Sequence, residues 1–482
     1  VAGDECPNEA GPSSNNGCAL DGMFSDENYI YTVSPQIPLS QSEFENKVAN
    51  NSLANNEAIK NITYFDGLGR PMQNIAIGQS AVTKNDIVTH IAYDEFGRQD
   101  KEYLPYVPST ENDGLYITSN VADATNSFYN NLHSNDLDVA NPNPFSQKEF
   151  EASPLNRVLK QAAPGKDWAL GAGNEIEFEY QTNELEEVRL YEVTTSFDNN
   201  TYTPTLLLNT DNNGYYLAGE LYKSITKDEN HDGTTSKLHT TEEFKDKQGR
   251  VVLKRTYGDS DVNMDGTIDL NEQEIEHDTY YVYDDFGNLT YVLPPKAEAH
   301  TSIPSQTILD DLCYQYTYDN KNRLVEKKIP GKDWEYIVYN KLDQPVLTQD
   351  ANMRKENSDK TIDQWLFTKY DVFGRVTYTG YIENNNERND MVSLFESAID
   401  QYEVQTSSTN NIGGSNIYYS NDAKPVNVTD VYTINYYDEY IDLPAGIPTS
   451  VTVNGVTSTT RTKGLPTVSK IRVLETDNWI TT

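Results

Sequence analysis

Cysteine, histidine and basic residues are scarce in this chain. Its 482 residues include three cysteines, six histidines and 37 Lys plus Arg, against 75 Asp plus Glu. The formal net charge is 37 − 75 = −38, which repels nucleic acid and anionic lipid at long range. This balance argues against a nucleic-acid-binding protein. This excess of acidic residues suits a secreted or cell-surface protein, because calcium, a counter-ion for carboxylates, is abundant outside the cell.

Long hydrophobic runs are also lacking. No apolar stretch approaches the roughly 18 residues of a membrane span, so we expect no membrane span. The chain opens at Val1 without a hydrophobic targeting segment, which leads us to expect a processed or trimmed product. Residues 1–27 are predicted to be a flexible tail, because they are rich in Gly, Ser and Asn.

The three cysteines do not form a metal-binding pattern. An oxidising compartment would allow a disulfide between Cys6 and Cys18, whereas a zinc site would need a second ligand pair. Cys313 stands alone between Leu312 and Tyr314. We interpret it as a small buried apolar residue rather than a nucleophile.

One acidic stretch, residues 261–272, has the spacing of a twelve-residue calcium loop. Oxygen-bearing side chains occupy positions 1, 3, 5 and 9, Gly266 stands at position 6, and a glutamate closes the loop. The alternative is an acidic, solvated turn. The predicted Ca²⁺ ligands are Asp261, Asn263, Asp265, Thr267 (through its carbonyl), Asp269 and Glu272.

A second acidic fragment, residues 228–233, has only the first half of such a loop. His239 stands where the closing glutamate would be required. We therefore expect a solvated turn here rather than a second calcium site.

Tyrosine is abundant, with 34 residues, and much of it belongs to a recurring unit. The unit is an aromatic residue, Asp, two further residues, Gly or Asn, usually Arg, and then alternating apolar residues. Its copies start at Tyr64, Tyr93, Phe244, Tyr283, Tyr318 and Tyr370, with a degraded copy at Tyr339.

Each unit predicts a β-hairpin. The Asp side chain can accept a hydrogen bond from the backbone amide two residues on, and Gly or Asn supplies the left-handed conformation that closes a turn with a bulge. The alternating residues on either side predict strands. Because a single hairpin is marginally stable, we expect the units to pair edge to edge.

Other segments interrupt the units. A capping box at Ser40-x-x-Glu43 predicts a helix over 40–49, and helical spacing predicts helices over 121–132 and 390–402, with a further turn or two over 303–312. The run Pro-Gly-Lys-Asp-Trp occurs at 164–168 and again at 330–334. We expect a turn whose Trp anchors neighbouring sheet layers, with a ligand site as the alternative.

The ordered series of units resembles the YD-repeat (Rhs-type) proteins, in the form found in large secreted proteins of Bacteroidota. The resemblance covers roughly residues 28–482, including Phe150–Arg157 and Lys463–Pro466. It implies a long, twisted antiparallel sheet that curls into a hollow shell around a C-terminal cargo, often a toxin. It also implies export by the type IX secretion system.

The predicted architecture is all-β, with a few short helical insertions. We expect a lead-in segment over 28–60 and a shell section over 61–482, with the calcium loop inserted at 258–278 as a stiffened hairpin extension. The chain stops where such relatives continue, so it is interpreted as one section of a shell. Its partners would be the C-terminal cargo or the remaining shell of the same polypeptide.

The sequence favours a non-catalytic scaffold. The histidines stand in no metal-ligand spacing, and neither a Gly-x-Ser-x-Gly elbow nor a phosphate-binding Gly-rich loop occurs. Paired carboxylates are uninformative in so acidic a chain. The alternatives are a cell-surface adhesin or glycan-binding module and, less favoured, a hydrolase.

Overall fold

A computed structural model describes residues 24–482, except 111, 260–272, 358, 442, 445–446, 449, 451, 454–455, 458–460 and 477. Antiparallel strands dominate this part of the chain. The four α-helices of the described residues are α1 (Gln41–Ala49), α2 (Val121–Leu132), α3 (Gln306–Leu312) and α4 (Arg388–Glu396).

The strands follow one another closely in the sequence. In the first half they are β1 (Asn28–Pro35), β2 (Ala58–Phe65), β3 (Pro71–Ala76), β4 (Ile87–His90), β5 (Lys101–Tyr103), β6 (Phe145–Phe150), β7 (Val158–Ala162), β8 (Ile176–Thr182), β9 (Tyr191–Asp198), β10 (Thr201–Leu208), β11 (Tyr222–Lys227), β12 (Thr240–Lys245) and β13 (Val251–Gly258). In the second half they are β14 (Ile275–Tyr283), β15 (Leu289–Leu293), β16 (Tyr314–Asp319), β17 (Leu324–Ile329), β18 (Lys332–Tyr339), β19 (Pro345–Gln349), β20 (Gln364–Tyr370), β21 (Val376–Glu383), β22 (Gln405–Ile412), β23 (Ser415–Tyr419), β24 (Asp430–Asp438), β25 (Thr452–Val453), β26 (Val456–Thr457), β27 (Thr462–Arg472) and β28 (Trp479–Thr481).

Strands β1 to β4 form a sheet of their own, in that order. Its strands alternate buried and exposed residues, as in β2, because successive side chains of a strand point to opposite faces. The buried face packs on α2 around Ile62, Tyr64 and Val121. The predicted boundary at residue 60 falls inside β2, so the sheet runs across it and unites the lead-in segment with the first turn unit.

The remaining long strands build one extended antiparallel sheet. Its neighbours run from β5 through β8 to β11, then in chain order to β21, and finally to β24, β27 and β28. Many partners, such as β16 and β17 or β20 and β21, are joined by short turns, since adjacent antiparallel strands need only a hairpin connection. This confirms the all-β prediction of a sheet assembled from successive hairpins.

The β9–β10 hairpin makes the sheet curl back on itself. Strand β9 pairs with β10, and β10 pairs in turn with β16 at Thr201 and Tyr202. Apolar residues of the hairpin pack with those of β12 to β15 in one buried cluster that includes Val193, Phe244 and Leu293. Side chains therefore fill the inside of this curl.

A second buried cluster lies under the last part of the sheet. Trp365, Phe367 and Tyr378 of β20 and β21 pack against Phe395 of α4 and Ile417 of β23. Strands β22 and β23 form a two-stranded sheet of their own. Residues 384–429, inserted between β21 and β24, therefore cover this stretch of the main sheet.

Three of the helix predictions agree with the structure. Helix α1 has the predicted capping box, with the Ser40 side chain accepting from Glu43 N and the Glu43 side chain accepting from Ser40 N. Helix α2 has the predicted bounds, and α3 begins after its N-cap Ser305. None of the helices among the described residues is both long and apolar enough to cross a membrane.

The prediction for 390–402 was wrong at its end. Helix α4 stops at Glu396, and Ile399, expected on its apolar face, is 90% exposed. Hydrogen bonds to the turn at Asn340 compete with the helix here. The Lys341 ammonium donates to Ala398 O at 2.8 Å, and Lys341 N donates to Gln401 Oε1 at 3.0 Å.

Candidate functional site

The most regular feature of the molecule is the turn at each Asp of the repeated unit, which we call the Asp turn. In the copy at Asp319, Oδ1 accepts hydrogen bonds from the backbone N–H groups of Lys321 and Arg323, at 2.9 and 3.0 Å. Oδ2 accepts from Arg323 Nε at 2.8 Å. The carboxylate thus satisfies two backbone donors and a guanidinium at once, as an Asx turn with an added ion pair.

The same contacts recur in the other copies. Asp66, Asp94, Asp246 and Asp371 accept from the backbone amides two and four residues on and from the Nε of the arginine four residues on. In the copy at Asp284, Asn288 Nδ2 replaces the guanidinium, at 3.0 Å. The hydrogen bond from the backbone amide two residues after the aspartate was predicted, and the structure confirms it.

The residue before the arginine position is left-handed in every copy. Gly249 has a φ of 82° and Gly374 a φ of 78°, while Asn322 has a φ of 57°. These values are the ones that Gly and Asn tolerate best. The register of the strands shifts at every unit whose two flanking strands pair with each other, as between Thr317 and Tyr318, which confirms the predicted bulge.

Each Asp turn also contacts the next one along the sheet. The Arg323 guanidinium lies 4.5 Å from the ring centroid of Tyr339, the aromatic residue of the following unit. The Tyr339 hydroxyl donates to Leu324 O, the carbonyl just after that arginine, at 2.9 Å. A cation–π contact and a hydrogen bond therefore join two successive turns.

This joint repeats along the sheet, and we call the series the turn ladder. The guanidinium groups of Arg70, Arg157, Arg250 and Arg375 lie over the rings of Tyr93, Tyr180, Tyr283 and Tyr437 at 4.4, 4.6, 4.8 and 4.3 Å. In each case the tyrosine hydroxyl donates to the carbonyl just after the arginine, namely that of Pro71, Val158, Val251 and Val376. Tyr318 and Tyr370 donate in the same way to Leu289 and Pro345.

One member of the ladder, at Glu151, lies in the Phe150–Arg157 stretch that carries the resemblance, but the sequence did not identify it as a turn unit. Glu151 takes the place of the aspartate, and its carboxylate accepts from Arg157 Nε and Nη2 at 3.0 and 2.7 Å. The segment between them is two residues longer than in an Asp turn, so the fixed spacing did not identify it. The available signal was an aromatic residue followed by an acid, Phe150-Glu151, with an Asn-Arg pair downstream.

The ion pairs perturb the acids that they contain. Hydrogen bonds from Arg157 and from the Ser153 hydroxyl lower the pKa of Glu151 to about 2. Asp438 forms two hydrogen bonds with Arg375, at 2.9 and 2.8 Å. These bonds, with one from Gly464 N, lower its pKa to about 2. Both carboxylates are therefore ionised across the physiological range.

The predicted calcium ligands, Asp261 to Glu272, lie outside the described residues. The strands on either side are described, and β13 pairs with β14 as far as Gly258 and Ile275. Glu274 N donates to Asp259 Oδ1 at 2.9 Å just beyond the paired ends of these two strands. The insertion predicted at 258–278 thus starts and ends in a paired hairpin.

The second acidic fragment uses its carboxylates within the fold. Asp232 Oδ1 accepts from Thr234 N and from the Thr234 hydroxyl, at 2.9 and 2.5 Å. Asp228 Oδ1 accepts from Asn230 N, and its Oδ2 lies 3.4 Å from His239 Nδ1. Across the described part of the chain, no three His, Cys, Asp or Glu residues cluster as metal ligands.

Cys313 and the Pro-Gly-Lys-Asp-Trp copies complete the predicted features. Cys313 is fully buried, as predicted, and burial raises the pKa of its thiol to about 12. Cys6 and Cys18 lie outside the described residues. Trp168 is the last residue of a short 3₁₀ turn and is 42% exposed, so its prediction as an anchor was wrong. The second copy has a different backbone structure, since its Pro330 and Gly331 form the hairpin turn between β17 and β18.

Residues 31–182 match a protein family described as a domain of unknown function, DUF6443. The match begins inside β1 and ends on the last residue of β8, so it spans most of the first sheet and the start of the second. None of the curated proteins matches this chain.

Among solved structures, 37 chains match. One is TcdB2-TccC3 without its hypervariable C-terminal region, at 13% identity and a TM-score of 0.41, covering 87% of this chain and 18% of that one. TcdB2-TccC3-Cdc42 has 13% identity, a TM-score of 0.42 and the same coverage. A Tc holotoxin pore of Photorhabdus luminescens has 12% identity and a TM-score of 0.39, with 81% and 16% covered. The chain spans less than a fifth of the length of these proteins.

Proposed function

We propose that this chain is a non-catalytic shell segment of a secreted YD-repeat (Rhs-type) protein of Bacteroidota. Its sheet would enclose or carry a C-terminal toxin or effector that belongs to the same polypeptide. The observation that carries this proposal is the turn ladder, which connects successive hairpins by the same ion pair, ring contact and hydrogen bond.

The ladder supports a wall more than it supports an active site. Its charged groups are paired with one another, as Arg323 is with Asp319 at 2.6 Å and with Asp343 at 2.7 Å. Groups used in this way hold neighbouring turns at a fixed spacing. Cys313, the one cysteine of the described residues, is a poor nucleophile because burial holds it as a thiol.

A protection assay would test the enclosing role. The chain would be expressed with the polypeptide that naturally follows it and exposed to a protease, with the cargo followed by peptide mass spectrometry. We expect cargo peptides to be cleaved slowly in the intact protein and rapidly when the cargo is produced alone. Equal cleavage rates in the two samples would refute an enclosing shell.

We also propose that residues 261–272 bind one Ca²⁺ ion. The support is the spacing of oxygen-bearing residues, together with the acidic side chains of Asp259, Asp261, Asp265, Asp269 and Glu272, which repel one another without a cation. Ion binding would stabilise the folded state by an amount that grows with the logarithm of the calcium concentration once that concentration exceeds the dissociation constant.

Calorimetric titration with Ca²⁺ would test this site. We expect one binding event in the wild type and its loss in Asp265→Ala and Glu272→Ala. Asp232→Ala is the matched control, since Asp232 lies in the other acidic fragment, and it should bind as the wild type does. Unchanged binding in both loop variants would remove the assignment.

An adhesin or glycan-binding module is the second candidate, and a row of exposed apolar side chains favours it. They occupy the tips of the Asp turns, of the Glu151 turn and of the turn at Asn340, with exposed fractions of 52% to 80%, and are Leu68, Phe96, Leu155, Phe286, Leu342 and Phe373. Such a row offers contacts to sugar rings or to further shell from the same polypeptide. A glycan array would decide, because specific binding that Phe96→Ala and Phe373→Ala abolish would favour the adhesin.

Export by the type IX secretion system and a location outside the cell form the last part of the proposal. Type IX export is what the resemblance to YD-repeat proteins implies, and the acidic composition, with a net charge of −38, suits a location outside the cell. Antibody detection in culture medium and on intact cells, with and without a working type IX system, would test it. Retention of the protein inside wild-type cells would contradict the proposal.

A further inference from the structure

A buried lysine beside a buried glutamate lies between the main sheet and the 384–429 insertion. Lys369 of β20 is 2% exposed and Glu403, just before β22, is 1% exposed. The Lys369 Nζ lies 2.7 Å from Glu403 Oε1, 2.6 Å from Asn421 Oδ1 and 2.7 Å from Ala423 O. A buried ion pair of this kind pays a large desolvation cost, so a purely stabilising role is a weak explanation of it.

The remaining contacts orient both the glutamate and the carboxamide. Glu403 Oε2 accepts from the Ser420 hydroxyl at 2.5 Å and from Asp422 N at 3.1 Å. The Tyr378 hydroxyl donates to Ser420 O at 2.9 Å and lies 3.3 Å from Asn421 Oδ1. The carboxamide oxygen of Asn421 therefore accepts from the lysine, and the tyrosine hydroxyl lies close enough to donate to it after turning away from Ser420 O.

The apolar surroundings make the Lys369 ammonium easier to deprotonate. Trp365 and Phe367 precede Lys369 on the same strand and are buried. Burial lowers the pKa of Lys369, because a low-dielectric environment disfavours the charged form. A lysine held in this way can act as a nucleophile.

We propose that Lys369 and Asn421 join in an intramolecular isopeptide bond, with Glu403 as the catalytic acid and base. The arrangement supplies an amine, a carboxamide with its oxygen held by donors, and a carboxyl group that contacts the amine. The three side chains meet only in the folded chain, because they lie far apart in the sequence.

The reaction balances without an oxidant or a co-reactant. Glu403 takes one proton from the Lys369 ammonium, and the Nζ lone pair then forms a bond to Asn421 Cγ while the carbonyl π electrons move to Oδ1. Donation from the Tyr378 hydroxyl stabilises that oxygen as charge develops. A second Lys369 proton passes through Glu403 to Nδ2, the Cγ–Nδ2 bond breaks, and ammonia leaves. The product is a secondary amide beside a neutral Glu403 carboxylic acid.

The position of the bond explains its use. Lys369 belongs to the main sheet, and Asn421 follows β23 in the insertion, 52 residues later. A covalent link between them would close this long loop and restrict the unfolded chain, as a disulfide does. It would also remove the buried charges, since Lys369 becomes part of an amide and Glu403 becomes a neutral carboxylic acid.

Mass spectrometry of the purified wild-type chain would test the proposal. We expect an intact mass that is lower by one ammonia molecule, and a protease digest in which the peptides containing Lys369 and Asn421 are joined. A wild-type chain of full mass with Lys369 free would overturn the proposal. So would an ammonia loss that maps to any other residue.

Variants separate the reacting groups from the structure around them. Asn421→Ala and Glu403→Gln should each have the full mass expected for its sequence, whereas Asn411→Ala, on the exposed part of β22, should still lose ammonia. Circular dichroism would establish that each variant is folded. A cross-link that persists in folded Glu403→Gln would overturn the role of Glu403, and the wild-type digest decides the bond itself even if that variant does not fold.

Discussion

Replacing Arg323 by alanine should loosen the joint between two Asp turns. The side chain is 18% exposed and donates to Asp319, whose side chain is 4% exposed, and it also lies over the Tyr339 ring. Breaking a buried ion pair by removing one partner costs about 3–5 kcal/mol. The lower end applies here, because Asp319 keeps its two backbone donors and Arg323 is partly solvated. We expect a loss of about 3 kcal/mol in the local stability of the turn.

Native-state hydrogen exchange is the suitable assay, because a chain of this size need not unfold in a single step. A loss of about 3 kcal/mol corresponds to exchange that is roughly 100-fold faster. We expect this increase at the amides of Lys321 and Arg323, which donate to Asp319.

Two further variants make the measurement specific. Arg323→Asn should lose about half as much, because Asn288 already makes the corresponding contact to Asp284. Lys321→Ala removes a charge from the same turn, but its ion pair with Asp343 is exposed, with side chains 50% and 56% accessible. It should change local stability by less than about 0.5 kcal/mol. Exchange in Arg323→Ala as slow as in Lys321→Ala would refute a structural role for the ladder.

Three other outcomes follow from the same contacts. The lowered pKa of Glu151 means that its ion pair stabilises the fold above the usual pKa of 4.5 and that this contribution is lost as pH falls to about 2. In acid titrations followed by circular dichroism, the stability gap between wild type and Glu151→Gln should therefore close over that window, and a constant gap would contradict the assignment. Tyr339→Phe removes the hydroxyl bond to Leu324 O but keeps the ring under Arg323, so native-state hydrogen exchange at this turn should show a loss of about 1 kcal/mol in local stability; unchanged exchange would count against the bond. Ser40→Ala should destabilise α1 by about 1 kcal/mol, read as faster amide exchange in residues 41–49 and unchanged exchange in β2.

Much of the ladder could be predicted from the sequence because its causes are local. The acceptor role of Asp and the left-handed residue three positions on lie within five residues of one another, so spacing alone identifies them. Helix α2 was predicted for the same reason, from helical spacing within a single segment. Glu151, although within the stretch that carries the resemblance, was not identified as a turn unit because two extra residues separate it from its arginine.

The end of α4 depended on a contact that no local pattern contains. Residues 398–401 leave the helix to contact the turn at Asn340, about 60 positions earlier in the chain. Intrinsic helix preference is a small term per residue, and tertiary hydrogen bonds can outweigh it.

The amino-acid sequence by itself therefore determined the turn units, their left-handed residues and the all-β class, since each depends on neighbours along the chain. The tertiary structure decided which strands share a sheet, where β10 reaches β16, and that Lys369, Glu403 and Asn421 meet in one buried site. The physical reason is that desolvation and distant hydrogen bonds arise only when the chain has folded. Spacing along the sequence carries no record of them.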